Sequence, residues 1–103
     1  MAETASGFLL ISRYTAPLER IRELVPAHRE YLQAQFASGL FVVSGRRIPW
    51  DGGVIVARGT RADVEAAVAA DPFTIAGVAE TEVVEFQPLF GRLGPADSGS
   101  SVE

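Results

Sequence analysis

The segment that decides the fold begins Leu40-Phe41-Val42-Val43-Ser44-Gly45-Arg46 and ends Gly53-Val54-Ile55-Val56-Ala57-Arg58. Both runs are short, apolar and rich in β-branched residues, which is typical of strands. Between them Ile48-Pro49-Trp50-Asp51-Gly52-Gly53 predicts a turn, with Asp-Gly as its strongest signal. Because this connection is short, the two strands are predicted to pair as an antiparallel hairpin.

Upstream of the hairpin the chain predicts one strand and one helical region. Phe8–Tyr14 has the composition of a buried strand. From Leu18 onward, apolar residues recur at helical spacing on one face, and His28 shares that face. Pro26 lies inside this pattern, and an internal proline costs about 3 kcal/mol, so we predict a break near Val25.

The main helix is therefore predicted from Pro26 to about Ser38. His28 then lies in its first turn, where the helix dipole disfavours the protonated imidazole. Gly39 suits the position that follows a helix end.

Downstream of the hairpin a second helix and a last strand are predicted. Thr60 is a candidate N-cap for a helix that runs through Ala70. Pro72 can open a further short turn, and Glu80–Gln87 has strand character. The order β-α-β-β-α-β predicts an α+β, ferredoxin-like fold, with a four-stranded antiparallel sheet and both helices on one face.

The strands carry apolar residues on both sides, although helices cover only one face of such a sheet. This holds for Phe8–Ile11, Leu40–Val43 and Val54–Ala57. The second face is expected to be covered by another copy of the chain, so we predict a homodimer, or a higher oligomer built from it.

Composition limits the classes of function. The 103 residues suit one domain, and the net charge of −4 argues against a nucleic-acid partner. Without cysteine there is no disulfide or thiolate nucleophile. We expect no secretory signal and no membrane partner, because the N-terminus lacks a basic segment and the apolar runs are too short to span a bilayer. A cytoplasmic location is the expectation.

Chemistry is suggested by two residues far apart in the sequence. His28 is the only histidine, and Asp71 opens the segment Asp71-Pro72-Phe73-Thr74-Ile75-Ala76-Gly77. Histidine can exchange a proton near neutral pH, and a carboxylate can orient its ring. The structural alternatives are that His28 is a buried histidine bonded to a backbone carbonyl and that Asp71 caps a helical turn. A metal site is not expected, since one histidine without clustered carboxylates lacks the usual ligand set.

The chain resembles the YciI-like (YCII-related) proteins of the dimeric α/β-barrel superfamily. The resemblance rests on His28 with Tyr31-Leu32, on Ser44-Gly45, on Asp71-Pro72-Phe73 with Ala76-Gly77, and on the closing strand from Val83 to Pro88. It implies a ferredoxin-like domain at residues 1–90 that dimerises through its sheet. Composition assigns residues 91–103 to a polar C-terminal tail.

The resemblance also implies a cleft in which His28 and Asp71 meet as a catalytic pair. Because the first helix and the segment after the second helix share one sheet face in this topology, we expect the two side chains to meet near the end of the second strand. Members include an enzyme that removes chloride from a hydroxylated chloroaromatic ring. One departure is that Arg46-Arg47 follows Ser44-Gly45, where the family often has proline. Two cations at a cleft rim suit an anionic or phenolate substrate, although arginines there are more often solvated.

Five residues are predicted to contact a substrate: Arg13, Ser44, Gly45, Arg46 and Phe73. Arg13 and its neighbour Tyr14 end the first strand and could face a cleft, although long polar residues at strand ends are usually solvated. Ser44 lacks the motif that surrounds a nucleophilic serine, so a strand-end hydroxyl is the better interpretation. Trp50 is either a wall of the cleft or a dimer contact.

Three functions remain open from the sequence. The leading one is a small enzyme without a cofactor, a lyase, isomerase or dehydrochlorinase acting on a cyclic or aromatic small molecule through His28 and Asp71. Such chemistry needs only positioned proton transfer. The alternative is a non-catalytic dimeric module or accessory subunit that binds a small ligand in the same pocket. The third is a purely structural pair.

Overall fold

The structure, a computed structural model, describes residues 6–93. Its elements are β1 (Ser6–Tyr14), α1 (Leu18–Ala37), β2 (Phe41–Arg46), β3 (Gly52–Gly59), α2 (Arg61–Ala70), α3 (Pro72–Ile75) and β4 (Ala79–Phe86). The strands form one antiparallel sheet in the order β2-β3-β1-β4. The predicted α+β, ferredoxin-like fold is confirmed.

Alternation along β1 separates the two faces of the sheet. Phe8 and Leu10 are buried on the face that the helices cover. Leu9 and Ile11 point to the opposite face, where they pair with Val56 and Val54 of β3. This opposite face, called the open face below, is apolar at its centre, where Leu9, Ile11, Val54 and Val56 remain partly exposed.

The core lies between the sheet and the helices in two clusters. One joins Phe8 and Leu10 to Phe41, Ala57 and the α2 residues Val64 and Ala67. The other joins Ile21, Phe73 and Val78. Since Phe73 belongs to α3 and Ile21 to α1, the second cluster fixes the short α3 against the long helix, which positions the site described below.

The predicted break at Pro26 is wrong. A single helix runs from Leu18 to Ala37 with Pro26 inside it. Proline removes one helical hydrogen bond, but apolar residues on both sides of it, Leu24 and Val25 before and Tyr31 after, pack on the core and hold both segments on one axis. His28 therefore lies well past the first turn, and the predicted influence of the helix dipole on it does not apply.

The ends of the helices follow the predicted capping chemistry. Gly39 has φ +86°, its N–H donates to Phe36, and Leu40 donates to Gln35, which completes a Schellman motif. At the start of α2 the Thr60 hydroxyl accepts the Asp63 N–H at 3.1 Å.

The connection between β2 and β3 differs from the prediction in its position. It spans residues 47–51, so Asp51-Gly52 lies at its end and Gly52 already belongs to β3. A side chain at Gly52 would collide with the backbone carbonyl of Ser12, which explains why glycine is required where β3 meets β1.

The end of the described chain lies against the first strand. The Leu93 side chain is close to Gly7. The rest of the predicted tail, residues 94–103, lies outside the described residues. Within residues 6–93 no helix combines the length and the apolar character needed to cross a membrane.

Candidate functional site

A cavity of about 220 Å³ lies between α1 and the helix-covered face of the sheet. The strands contribute Leu10, Ser12 and Tyr14 from β1 and Ser44, Gly45 and Arg46 from β2. Helix α1 contributes Val25, His28, Arg29, Tyr31 and Leu32, and the segment after α2 contributes Asp71 and Phe73. The cavity therefore collects residues from both halves of the fold.

His28 and Asp71 face each other in this cavity. Their atoms Nε2 and Oδ2 are 3.6 Å apart, and their side chains are 19% and 14% exposed. The separation is longer than a direct hydrogen bond and short enough for a small movement of either side chain to close it. The pair is shielded from bulk solvent and still opens onto a cavity.

Asp71 is held in place by its position in the chain. It ends α2 and caps α3, where its Oδ1 accepts the Phe73 N–H at 2.9 Å. The other carboxylate oxygen faces His28. The helix-capping role and the contact with histidine are thus compatible, one oxygen serving each.

Aromatic rings fix the orientation of His28. Its imidazole stacks on Phe73, with centroids 4.1 Å apart and planes 12° apart. The centroid of the Tyr31 ring lies 5.7 Å from that of the imidazole, and the Tyr31 hydroxyl donates to the Ala67 carbonyl at 2.7 Å. Burial raises the pKa of Tyr31, and the negative charge of Asp71 raises it further. Tyr31 is therefore a neutral wall of the cavity at physiological pH.

A second polar group lies at the strand side of the cavity. The indole Nε1 of Trp50 donates to the Tyr14 hydroxyl at 2.8 Å, and the two rings meet edge to face. The guanidinium of Arg46 lies 3.7 Å from the Trp50 ring centroid, in cation–π contact. Burial raises the pKa of Tyr14, while the Trp50 hydrogen bond and Arg46 oppose that rise.

The structure brings most of the residues proposed from the sequence to one place. Ser44, Gly45, Arg46 and Phe73 line the cavity together with His28 and Asp71. Arg13 does not: Ser12 and Tyr14 line the cavity, so alternation directs Arg13 to the open face, and its predicted contact with substrate is not supported. Of the arginine pair, Arg46 faces the cavity, whereas Arg47 binds Asp51 at 3.1 Å.

Two further residues, Tyr14 and Trp50, line the cavity. The sequence predicts either a cleft or a solvated position for Tyr14, and either a cleft wall or a dimer contact for Trp50. A signal for Tyr14 existed, because it shares its strand side with the buried Phe8 and Leu10. Among residues 6–93 there is no cluster of three or more metal-ligating side chains.

Comparisons with known proteins agree with this architecture. The model of the YCII-related domain matches residues 7–87. The solved structure of 5-chloro-2-hydroxyhydroquinone dehydrochlorinase from Burkholderia phenoliruptrix AC1100, in complex with 2,5-dihydroxybenzoquinone, is similar, with TM-score 0.65 and 25% identity. The alignment covers 78% of this chain and 93% of that one. No curated protein matches the sequence significantly. Because the domain model spans most of its length, the chain belongs to the YCII-related family.

Proposed function

We propose that the protein is a small enzyme that moves protons on a cyclic or aromatic molecule, with His28 as the acid–base group and Asp71 as its orienting carboxylate. The observation that carries the proposal is the 3.6 Å approach of His28 Nε2 to Asp71 Oδ2 at the wall of a cavity. An imidazole held by a carboxylate at one nitrogen keeps the other, Nδ1, for a substrate.

The surroundings of the pair suit this role. Stacking on Phe73 limits rotation of the imidazole, so the ring does not have to be ordered again when a substrate binds. The charge of Asp71 would stabilise the imidazolium formed when His28 takes a proton. A positioned acid–base group of this kind is worth about 10²–10⁴-fold in rate.

The similarity to a dehydrochlorinase supports one reaction class, loss of HCl from a hydroxylated chloroaromatic ring. In this proposal a proton moves from a ring hydroxyl to the chlorine-bearing carbon. Chloride then leaves with the electron pair of the C–Cl bond while a second hydroxyl loses its proton, and the ring becomes a quinone. HCl is the only species lost, so the step needs no oxidant and no cofactor.

The test is chloride release from 5-chloro-2-hydroxyhydroquinone by the wild-type protein and by His28→Asn and Gln33→Ala. Gln33 is exposed on the same helix outside the cavity and serves as the matched control. We expect His28→Asn to lose at least about 100-fold in kcat and the control to keep wild-type activity. Equal activity of His28→Asn would contradict the proposal.

The alternative function, a module that binds a small ligand without turnover, predicts a different result in a parallel measurement. A screen of phenols, lactones and small carboxylates by thermal shift would then give a stabilising ligand that is recovered unchanged. The cavity is lined mainly by apolar and aromatic residues, which is typical of pockets that bind small ligands. A binding module would therefore hold its ligand in the same cavity.

We also propose that the working unit is a homodimer formed through the open face. Leu9 lies between Val56 on β3 and Val84 on β4, so a continuous apolar surface crosses the centre of the sheet. A second copy would remove this surface from water and contribute on the order of 25 cal/mol per Å² buried.

A further inference from the structure

The cavity has a second polar group, formed by Tyr14, Arg46 and Trp50 on the strand side. These three residues contact one another through the Trp50–Tyr14 hydrogen bond and the stacking of Arg46 on Trp50. The acid–base chemistry proposed for His28 and Asp71 does not involve this group.

The Tyr14 hydroxyl is arranged as a hydrogen-bond donor. It accepts a hydrogen bond from Trp50, which fixes the oxygen, and among residues 6–93 nothing accepts the proton of Tyr14 itself. Because its raised pKa keeps the phenol protonated at physiological pH, that proton is available to a bound molecule.

Arg46 supplies positive charge at the same place. Within the described chain no carboxylate lies within ion-pair distance of Arg46, whereas the adjacent Arg47 forms an ion pair with Asp51. Stacking on the indole orients the guanidinium without neutralising it. The cavity lining includes two arginines, Arg29 and Arg46, and one carboxylate, Asp71. Because the positive charges outnumber the negative one, the cavity favours binding of an anion.

We propose that Tyr14 and Arg46 form an oxyanion site that binds an ionised ring hydroxyl of the substrate, with the ring lying between them and His28. The inference rests on the proposed function and narrows its substrate class to phenolates and hydroxyquinone anions. In the elimination described above, negative charge gathers on a ring oxygen when its proton leaves. A phenol donor and a guanidinium aimed at that oxygen would stabilise the charge.

The test uses para-nitrophenol, which ionises near neutral pH, and its methyl ether para-nitroanisole, which cannot. Trp50 is the only tryptophan, so quenching of its fluorescence reports binding of a probe to the protein, and the variants then locate the probe. Absorbance of the bound nitrophenol gives the fraction that is ionised. The variants are Tyr14→Phe, Arg46→Gln and His28→Asn, with Arg47→Gln as the matched control of equal charge change.

We expect the wild-type protein to bind the nitrophenol about tenfold or more tightly than the ether and to increase its ionised fraction. Tyr14→Phe and Arg46→Gln should each remove most of that preference, while Arg47→Gln and His28→Asn keep it. Arg46 is exposed, so Arg46→Gln should fold even if Tyr14→Phe does not.

Equal affinity for the two probes, or a preference that survives Arg46→Gln, would overturn the oxyanion site. A preference that is lost in His28→Asn but kept in Tyr14→Phe would also overturn it, because the anion would then lie at the histidine. These outcomes are separate from the failure of the proposed function, which would appear as normal phenolate binding without chloride release.

Discussion

The imidazole of His28 and the ring of Phe73 are stacked 4.1 Å apart and nearly parallel. The same Phe73 donates its backbone N–H to Asp71. One uncharged residue therefore positions both partners of the acid–base pair, through its ring on one side and its amide on the other. Its ring is also 95% buried in the core beneath α1, so the geometry of the pair depends on core packing.

Phe73→Leu should accordingly affect activity more than stability. Leucine fills most of the buried volume and keeps the amide that Asp71 accepts, but it cannot stack on the imidazole. We expect a loss of about 1–2 kcal/mol in the free energy of unfolding, measured in urea, and a fall in kcat of about tenfold. Unchanged kcat with the same loss of stability would mean that the stacking has no role in catalysis.

Substitutions of Asp71 should separate its two functions. Asp71→Asn keeps an oxygen that can cap α3 and loses the charge that faces His28, so stability should change by less than about 0.5 kcal/mol while kcat falls. Asp71→Ala loses the cap as well and should cost about 1 kcal/mol more. Urea denaturation and turnover, measured on both variants, check this. Equal unfolding free energies of the two variants would contradict the capping role.

The sequence predicted the fold well because its local signals and its apolar pattern agree. The hairpin, the Thr60 cap, Gly39 and the closing strand all follow from short-range chemistry. It also identified His28 and Asp71 as residues that meet, although that step came from the family resemblance and not from the residues alone.

The features that the sequence did not predict share a different physical origin. At Pro26 the local cost of proline was outweighed by packing on both sides of it, which depends on tertiary contacts. At Arg13 the strand is apolar on both faces, so alternation alone did not say which face the helices cover. The Trp50–Tyr14 bond depends on the path of residues 47–51, which no local signal specifies.

Pro26→Ala should stabilise the protein. Pro26 is exposed in the interior of α1, and alanine would restore a helical N–H there. Inside a helix, proline is about 3 kcal/mol less favourable than alanine. Proline also restricts the unfolded chain, which offsets part of this cost. We therefore expect Pro26→Ala to raise the free energy of unfolding by about 1–2 kcal/mol. Thermal and urea unfolding measure it. A decrease in stability would show that the helix is built around the proline.

Alkaline pH should destabilise the protein through Tyr31. Burial holds the pKa of Tyr31 above its ordinary value of 10.0, so the folded state keeps this proton after the unfolded chain has lost it. The stabilising contribution is complete below pH 10.0 and declines as the pH rises through the unfolded and toward the folded pKa.

Tyr31→Phe tests this by removing the titrating group. It should be less stable at neutral pH by about 1 kcal/mol, because the hydrogen bond to Ala67 is lost, and its stability should decline less steeply above pH 10.0. Unfolding free energies of both proteins, measured across that range, provide the comparison. Parallel pH curves would exclude Tyr31 as the source of the decline.

Val56→Glu should convert a dimer into a folded monomer. Val56 lies beside Leu9 at the centre of the open face, and its neighbour Ala57 points to the helices, so the substitution leaves the core of the subunit intact. In a sheet-to-sheet dimer the two-fold axis would bring each new carboxylate into an apolar contact, where desolvation without a partner is unfavourable.

Sedimentation analysis at micromolar concentration should find a dimer for the wild type and a monomer for Val56→Glu. Gln33→Glu on α1, with the same change in charge, should remain dimeric. A monomeric wild type would refute the assembly, and a dimeric Val56→Glu would place the interface elsewhere.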